Sequence, residues 1–323
     1  MPPTIMRRSL LRSLGALAVA GAAQAQTPAY PDRPVRLVVP FTPGGSTDLL
    51  GRLLADRAAR ELGQSVVPEN RPGAGGTIGA AMVAGAPPDG YTVLIVDTGA
   101  VAISPSVPPG VSYDPLRDFE PITQLVNSTT VLVARPDLPA RTVPDLVTLA
   151  RASPGALSYG AVGQNSSTHL SAMAFERMAG VSLLHVPYQG ASPAITDLLG
   201  GRIDLAFVGA AGAVPHILAG RLRGLAVTTP GPAPGLPEVP PMASMLPGYD
   251  TAGWFCLLAP RGTPGLAVER LHHAFTTAVK APEIQDTLSR NGFEAVGSSP
   301  NELAAKLRSD IGRYAEILRT ARR

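Results

Sequence analysis

Cysteine, histidine pairs and charge are all scarce in these 323 residues, and each shortage closes off a class of function. The single Cys256 excludes an intrachain disulfide. Its neighbours in Trp254-Phe255-Cys256-Leu257-Leu258 mark it as a small buried hydrophobe. None of the five histidines stands four residues from another, and adjacent His272 and His273 point to different faces of a helix, so no metal site is expected. The chain has no G-x-x-x-x-G-K-[ST] and no H-E-x-x-H. Gly190-Ala-Ser192-Pro-Ala194 fails the G-x-S-x-G elbow at its last position. Neither a catalytic constellation nor a cofactor is therefore expected. Only 16% of residues are charged, and no stretch reaches the length of apolar chain, about 18 residues, that suggests a membrane span.

What the sequence does contain begins with an export signal. Arg7, Arg8 and Arg12 form a basic segment, Leu14 to Ala23 an apolar one, and Ala23-Gln24-Ala25 an A-x-A site, so cleavage is expected after Ala25. Arg7-Arg8 fits a twin-arginine signal about as well as an ordinary secretory one. Removing the three signal arginines from a net charge of +3 leaves a neutral mature chain, which gives nucleic-acid or anionic-membrane binding no electrostatic support.

The remaining roughly 300 residues, rich in hydrophobics, exceed what one core usually organises and predict two domains. Short β-type runs alternate with helical patterns, the signature of α/β layers with parallel strands. Strands are expected at 35–39, 91–96, 130–134, 157–160, 203–208, 224–228 and 254–258. In the first helix Leu50, Leu54, Ala58 and Leu62 recur on one face, Arg57 can pair with Glu61, and Gly63 ends it. Proline-crowded stretches at 104–121 and 229–248 read as long irregular connections. Helices return at 268–279, 283–292 and 301–318. The simplest arrangement has one lobe from both ends of the chain (26–125 and 251–323) and another from the middle (126–250), with crossings near 125 and 250 as a hinge.

Two junctions carry the functional reading. In Val38-Val39-Pro40-Phe41-Thr42-Pro43-Gly44-Gly45-Ser46-Thr47-Asp48 a strand ends and a helix starts at Gly45 or Ser46, with Ser46, Thr47 or Asp48 available as caps. A helix N-terminus presents unpaired N–H groups and a partial positive charge, and glycine lets an anion approach. Taken alone, this is a capped turn as readily as a site. The design repeats in Leu157-Ser-Tyr-Gly-Ala-Val-Gly-Gln-Asn-Ser-Ser-Thr-His-Leu170, where Leu170, Met173, Ala174 and Met178 share a helix face and Gly180 stops it. Two such turns suggest two helix N-termini facing one cleft beyond the strand ends. His169 lies in the first turn, where it reads as a neutral hydrogen-bonding or packing residue. Gly73-Ala-Gly75-Gly76-Thr-Ile-Gly79 imitates a dinucleotide fingerprint, but the two prolines and two charges of 66–72 read as an irregular loop, not the buried strand such a motif needs.

The motifs FTPGGSTD (41–48), ENRPGAGGTIGA (69–80), PPDGYTVLI (87–95), YGAVGQNSSTHL (159–170), VPYQGASPAITDLLGGRIDLAF (186–207), GRLRGLAVT (220–228) and GWFCLLAPRGTP (253–264) together resemble the Bug/TctC family of extracytoplasmic solute receptors for tripartite tricarboxylate transport. The resemblance implies a type II periplasmic binding protein fold, with two α/β lobes closing on a small carboxylic acid. It also implies a periplasmic monomer that does no chemistry and serves membrane transporter components or a sensor. Carried over, the contacts are Phe41, Thr42, Gly45, Ser46, Thr47, Asp48, Thr98 and Gly99 from one lobe. The other supplies Gly163, Ser166, Ser167, Thr168 and His169, with Tyr188, Gly190 and Asp204 near the cleft floor. A carboxylate at Asp48 would repel a bound carboxylate, so Asp48 either turns back to cap its own helix, the favoured reading, or meets an amino or hydroxyl group on the ligand. Ala161, Val162, Gln164 and Asn165 depart from the small hydroxyl or glycine residues usual in the family, as Pro241 and Ser244 depart in a surface loop. Of these, Asn165 is the one suited to a left-handed backbone. The alternatives are a secreted hydrolase using a serine of one hydroxyl cluster, and a signalling partner without a small ligand.

Overall fold

A computed structural model describes residues 30–107, 110–164 and 166–321. The export signal and Asn165 lie outside the described residues. The elements run β1 (Val35–Val39), α1 (Ser46–Leu62), β2 (Val66–Asn70), α2 (Thr77–Ala84), β3 (Thr92–Asp97), β4 (Phe119–Ser128), β5 (Thr130–Ala134) and α3 (Val143–Ala152). They continue with β6 (Ser158–Val162), α4 (Ser167–Ala179), β7 (Leu184–Tyr188), α5 (Ala191–Leu199), β8 (Leu205–Gly209), α6 (Ala210–Leu218) and β9 (Arg223–Val227). The last are β10 (Gly253–Pro260), α7 (Gly265–Lys280), α8 (Pro282–Arg290), β11 (Phe293–Ala295) and α9 (Pro300–Ala321).

Two sheets organise them. One has the order β11-β4-β10-β3-β1-β2, the other β7-β6-β8-β5-β9. The chain passes from the first to the second between Ser128 and Thr130 and returns between Val227 and Gly253. Helices cover both faces of each sheet, so strands such as β1 bury consecutive residues. Leu37 packs with Leu50, Leu54 and Phe275, while its neighbour Val38 packs on the opposite face with Leu94, Leu258 and Leu303. In the second sheet Leu132, Tyr159, Phe175 and Phe207 fill one side, and Val131, Ile195 and Val208 the other.

Local chemistry explains the boundaries. The α1 stripe of Leu50, Leu54, Ala58 and Leu62 is fully buried, Arg57 pairs with Glu61 at 2.6 Å, and Gly63 caps the end in the left-handed region at φ 71°. α3 starts on a capping box in which Thr142 and Asp145 exchange bonds with each other's main chain.

Three expectations need correction. The sheets are mixed: β10 runs antiparallel to β3 and β4, and β5 antiparallel to β8 and β9. The reason is the double crossing, because β5 and β10 enter their sheets from the junction at which β1, β3, β6 and β8 end. The supposed loop at 66–72 contains strand β2, which pairs parallel to β1 with Pro68 beside Leu37. It is an edge strand, where a missing N–H is tolerated. On α4, Met173 and Met178 are 37% and 41% exposed, whereas Ala172, Phe175 and Ala179 are buried. Two helical stripes overlap in that sequence, and the one carrying the aromatic ring faces the core.

Candidate functional site

Where the two sheets meet, the ends of β1, β3, β6 and β8 surround a partly open cavity of about 50 Å³, room for a few waters. Four helices begin at its wall. Gly45, Ser46 and Thr47 come from α1, Ser167 and Thr168 from α4, Ala191 from α5, and Gly209 from the residue preceding α6. α1 starts on Gly45 without a side-chain cap, so the N–H groups of Ser46, Thr47 and Asp48 lack intrahelical partners and form a region of positive partial charge. Ser46 Oγ is buried and has no hydrogen-bond partner. Phe41 and Phe255 give the cavity an apolar side, and Ser128, Thr129 and Thr130 line it where the chain crosses between sheets. Among the described residues no lysine or arginine lines it, and Asp97 is the one acidic side chain there.

Asp97 ends β3 and is 8% exposed. It accepts a 2.6 Å hydrogen bond from Ser167 Oγ across the junction. Burial pushes its carboxyl above the usual range, against the opposing pull of that hydroxyl and of nearby main-chain N–H groups.

The expected site residues divide by position. Phe41, Gly45, Ser46, Thr47, Ser167 and Thr168 line the cavity. Ser166 caps α4, accepting from His169 N–H at 3.2 Å. Thr42, Gly99, Gly163 and Gly190 hold the halves together. A Cβ on Gly190 would lie 3.0 Å from Thr42 Cβ, one on Gly99 2.8 Å from Ser167 N, and one on Gly163 2.7 Å from the Gly75 main chain. Thr98 Oγ accepts from Trp254 N–H at 2.9 Å, tying β3 to β10. Tyr188 donates to Asp197 at 2.8 Å.

Asp48 turns away from the cavity. It accepts from Gly44 N–H at 2.9 Å, Arg52 Nε at 3.0 Å and Asn70 Nδ2 at 2.9 Å. Burial alone would raise its pKa; the bonds from Arg52, Gly44 and Asn70 outweigh that and hold it below the usual carboxylate range. His169 stacks on His185 at 4.1 Å between ring centres, and burial together with that neighbour pushes its pKa down to about 4, so it is neutral at pH 7. Asp204 is not brought to the cavity. It precedes β8, accepting from Arg135 Nε at 3.1 Å and Ser158 N–H at 2.9 Å, about 16 Å of strand from Gly209. An acid between Arg135 and Ser158 fastens the edge of the sheet at which β6 and β8 start and β5 ends, whereas sites of this architecture form at the carboxyl ends of the parallel strands.

Sequence reasoning missed Asp97, Ala191 and Gly209. The last two stand in Gly190-Ala191-Ser192 and Gly209-Ala210-Ala211, strand-to-helix turns of small residues like the two recognised, but poorer in hydroxyls.

The model of the family described as the tripartite tricarboxylate transporter family receptor matches residues 50–321. The chain belongs to this family. Its members are periplasmic solute receptors, and the fold is the type II periplasmic binding protein fold of two α/β lobes around a cleft. The protein of the tcbD-tcbE intergenic region of Pseudomonas sp. is 38% identical over 97% of this chain and 94% of its own length. A Rhodopseudomonas palustris protein solved with adipate is 38% identical, with a TM-score of 0.87 over 90% of this chain and 98% of its own. MatC of the same species, solved with bound malate, is 30% identical with a TM-score of 0.85 over 89% and 99%. Among the described residues no helix is long and apolar enough to cross a membrane.

Proposed function

We propose that this receptor captures a small carboxylated metabolite in the periplasm and presents it, lobes closed, to tripartite tricarboxylate-type transporter components or to a membrane sensor. One observation carries the reading: four helix N-termini open on a single cavity that, among the described residues, no lysine or arginine lines. Such a site grips an anion through N–H groups and dipole ends and lets it go without breaking an ion pair. The adipate and malate bound by two relatives are of the expected class.

One lobe would comprise the six-stranded sheet, built from both ends of the chain, and the other the five-stranded sheet from its middle. Closure would turn about the two crossings, at Ser128–Thr130 and between Val227 and Gly253. Ligand binding to one lobe first, then to both, shifts the population toward the closed form. The protein would act as an exported monomer, its leader removed after Ala25, and would bind without metal or nucleotide.

A thermal-shift panel of dicarboxylates, hydroxy acids, amino acids and aromatic acids on refolded, ligand-free protein tests the reading. At least one acid raises the melting temperature, with EDTA present or absent. If none does, the receptor reading loses its support, and stoichiometric labelling of Ser46 or Ser167 by a serine-reactive phosphonate would favour a hydrolase.

A further inference from the structure

Helix α4 carries two apolar stripes, and only one of them belongs to its own half of the molecule. Ala172, Phe175 and Ala179 pack into the core of the five-stranded sheet with Tyr159 and Phe207. Leu170 stands two residues before Ala172, about 200° around the helix, and therefore on the outward face. Met173, about one turn further along that face, is 37% exposed, yet Leu170 is only 8% exposed. What covers Leu170 comes from the six-stranded half. It clusters with Ala102 and Ile103 at the end of the wide turn Gly99–Ile103 that follows β3, with Val107, and with Ile311 and Tyr314 of α9. None of these residues lines the cavity. Parting the halves would strip the cover from Leu170 and bare the apolar pocket that receives it.

The closed arrangement needs such a contact. Without a ligand, α1, α4, α5 and α6 turn the positive ends of their dipoles toward one small cavity, and those ends repel one another. Burial of a leucine side chain against the other half acts in the opposite direction, whichever acid is bound.

We propose that Leu170, seated among Ile103, Val107, Ile311 and Tyr314, is an apolar latch that sets ligand affinity without touching the ligand. This inference rests on the receptor reading above and adds to it the element that holds the lobes together. Dipole repulsion keeps the ligand-free protein mainly open; the bound anion cancels that repulsion, and the latch then closes. Ligand and latch bias the same equilibrium, so the latch multiplies the affinity for every cargo by one common factor.

Isothermal titration compares the wild type, Leu170→Ala and Val107→Ala, using the two acids among succinate, malate, glutarate and adipate that give the largest thermal shifts. Leu170→Ala weakens both acids by the same factor, about ten- to a hundredfold, while the ligand-free melting temperature stays nearly unchanged because the latch is already undone in the open form. Val107→Ala, on the other half, gives a smaller loss that is again common to both acids, and it serves if Leu170→Ala folds poorly. Affinities within about twofold of the wild type in both variants overturn the inference and leave the receptor reading intact, whatever happens to the melting temperature. So does a loss that falls on one acid and spares the other, since that outcome makes Leu170 a determinant of cavity shape. Failure of every acid to bind the wild type overturns both readings.

Discussion

Replacing Gly190 by alanine should weaken ligand binding without unfolding the protein. Gly190 is fully extended at φ 176° and ψ 173°, a conformation alanine adopts freely, so the substitution carries no backbone strain. The added methyl would lie 3.0 Å from Thr42 Cβ and 3.2 Å from Thr42 N, and it would overlap Thr42 Oγ1 outright. Carbon atoms pack best at about 3.5–4.0 Å, so rotating the hydroxyl away still leaves several tenths of an ångström to be found. Thr42 follows β1 of one sheet and Gly190 follows β7 of the other, so the halves must part to find it. Overpacking of this kind costs about 1–3 kcal/mol, here only when the halves are in contact, which predicts a Kd weakened by roughly 5- to 150-fold. Titration with the acid giving the largest thermal shift reads the loss, and the ligand-free melting temperature should stay nearly unchanged. Adding Thr42→Gly to Gly190→Ala should recover most of the affinity. Unaltered binding by Gly190→Ala would refute the claim that this contact belongs to the ligand-bound arrangement.

Ser46→Ala should cost roughly tenfold in affinity while leaving ligand-free stability unharmed, because the lost hydroxyl has no partner within the protein; titration and melting together check this. Asp48→Asn should destabilise the fold by about 1–3 kcal/mol at pH 7 by breaking the bonds from Arg52 and Gly44. Its depressed pKa means that the wild-type advantage is present above the carboxylate's unfolded pKa, near 4, and disappears as pH falls through the lower folded value, which urea melts at several pH values would show. His169 is held neutral in the fold, so stability should fall as pH drops from about 6.5 toward its folded pKa of about 4. His169→Phe, which keeps a ring against His185, should flatten that slope; an unchanged slope would assign it to other groups. Asp204→Asn should lower the melting temperature yet leave affinity within about twofold, since its partners are Arg135 and Ser158 rather than the cavity.

Much of this architecture was legible because local signals agreed with it. Val35–Val39 and Thr130–Ala134 are short runs rich in β-branched residues, and both form strands with those bounds. The helix stop at Gly63 and the helix starts at Ser46 and Ser167 follow from glycine and hydroxyl chemistry that acts within a few residues. What was not legible depends on position in the sheet or on distant partners. Pro68 argues against a strand unless the strand is known to lie at an edge, and nothing near it in sequence says so. The antiparallel direction of β5 and β10 follows from the two crossings, which only the assembled lobes reveal. Asp97 looked like the end of an ordinary strand; its meaning comes from Ser167, seventy residues away. Asp204 misled in the opposite sense, because a polar residue beside a strand gives no sign of which end of the sheet it occupies.

The central claim is that main-chain N–H groups at helix N-termini hold the carboxylate with no side-chain cation. A crystal structure of the protein bound to the tightest acid from the panel tests it most directly. The account predicts a carboxylate in the cavity between the starts of α1 and α4, with oxygens about 2.7–3.2 Å from the N–H groups of Ser46 or Thr47, directly or through one water. A carboxylate held instead by an arginine or lysine side chain, or bound outside this cavity, would contradict it.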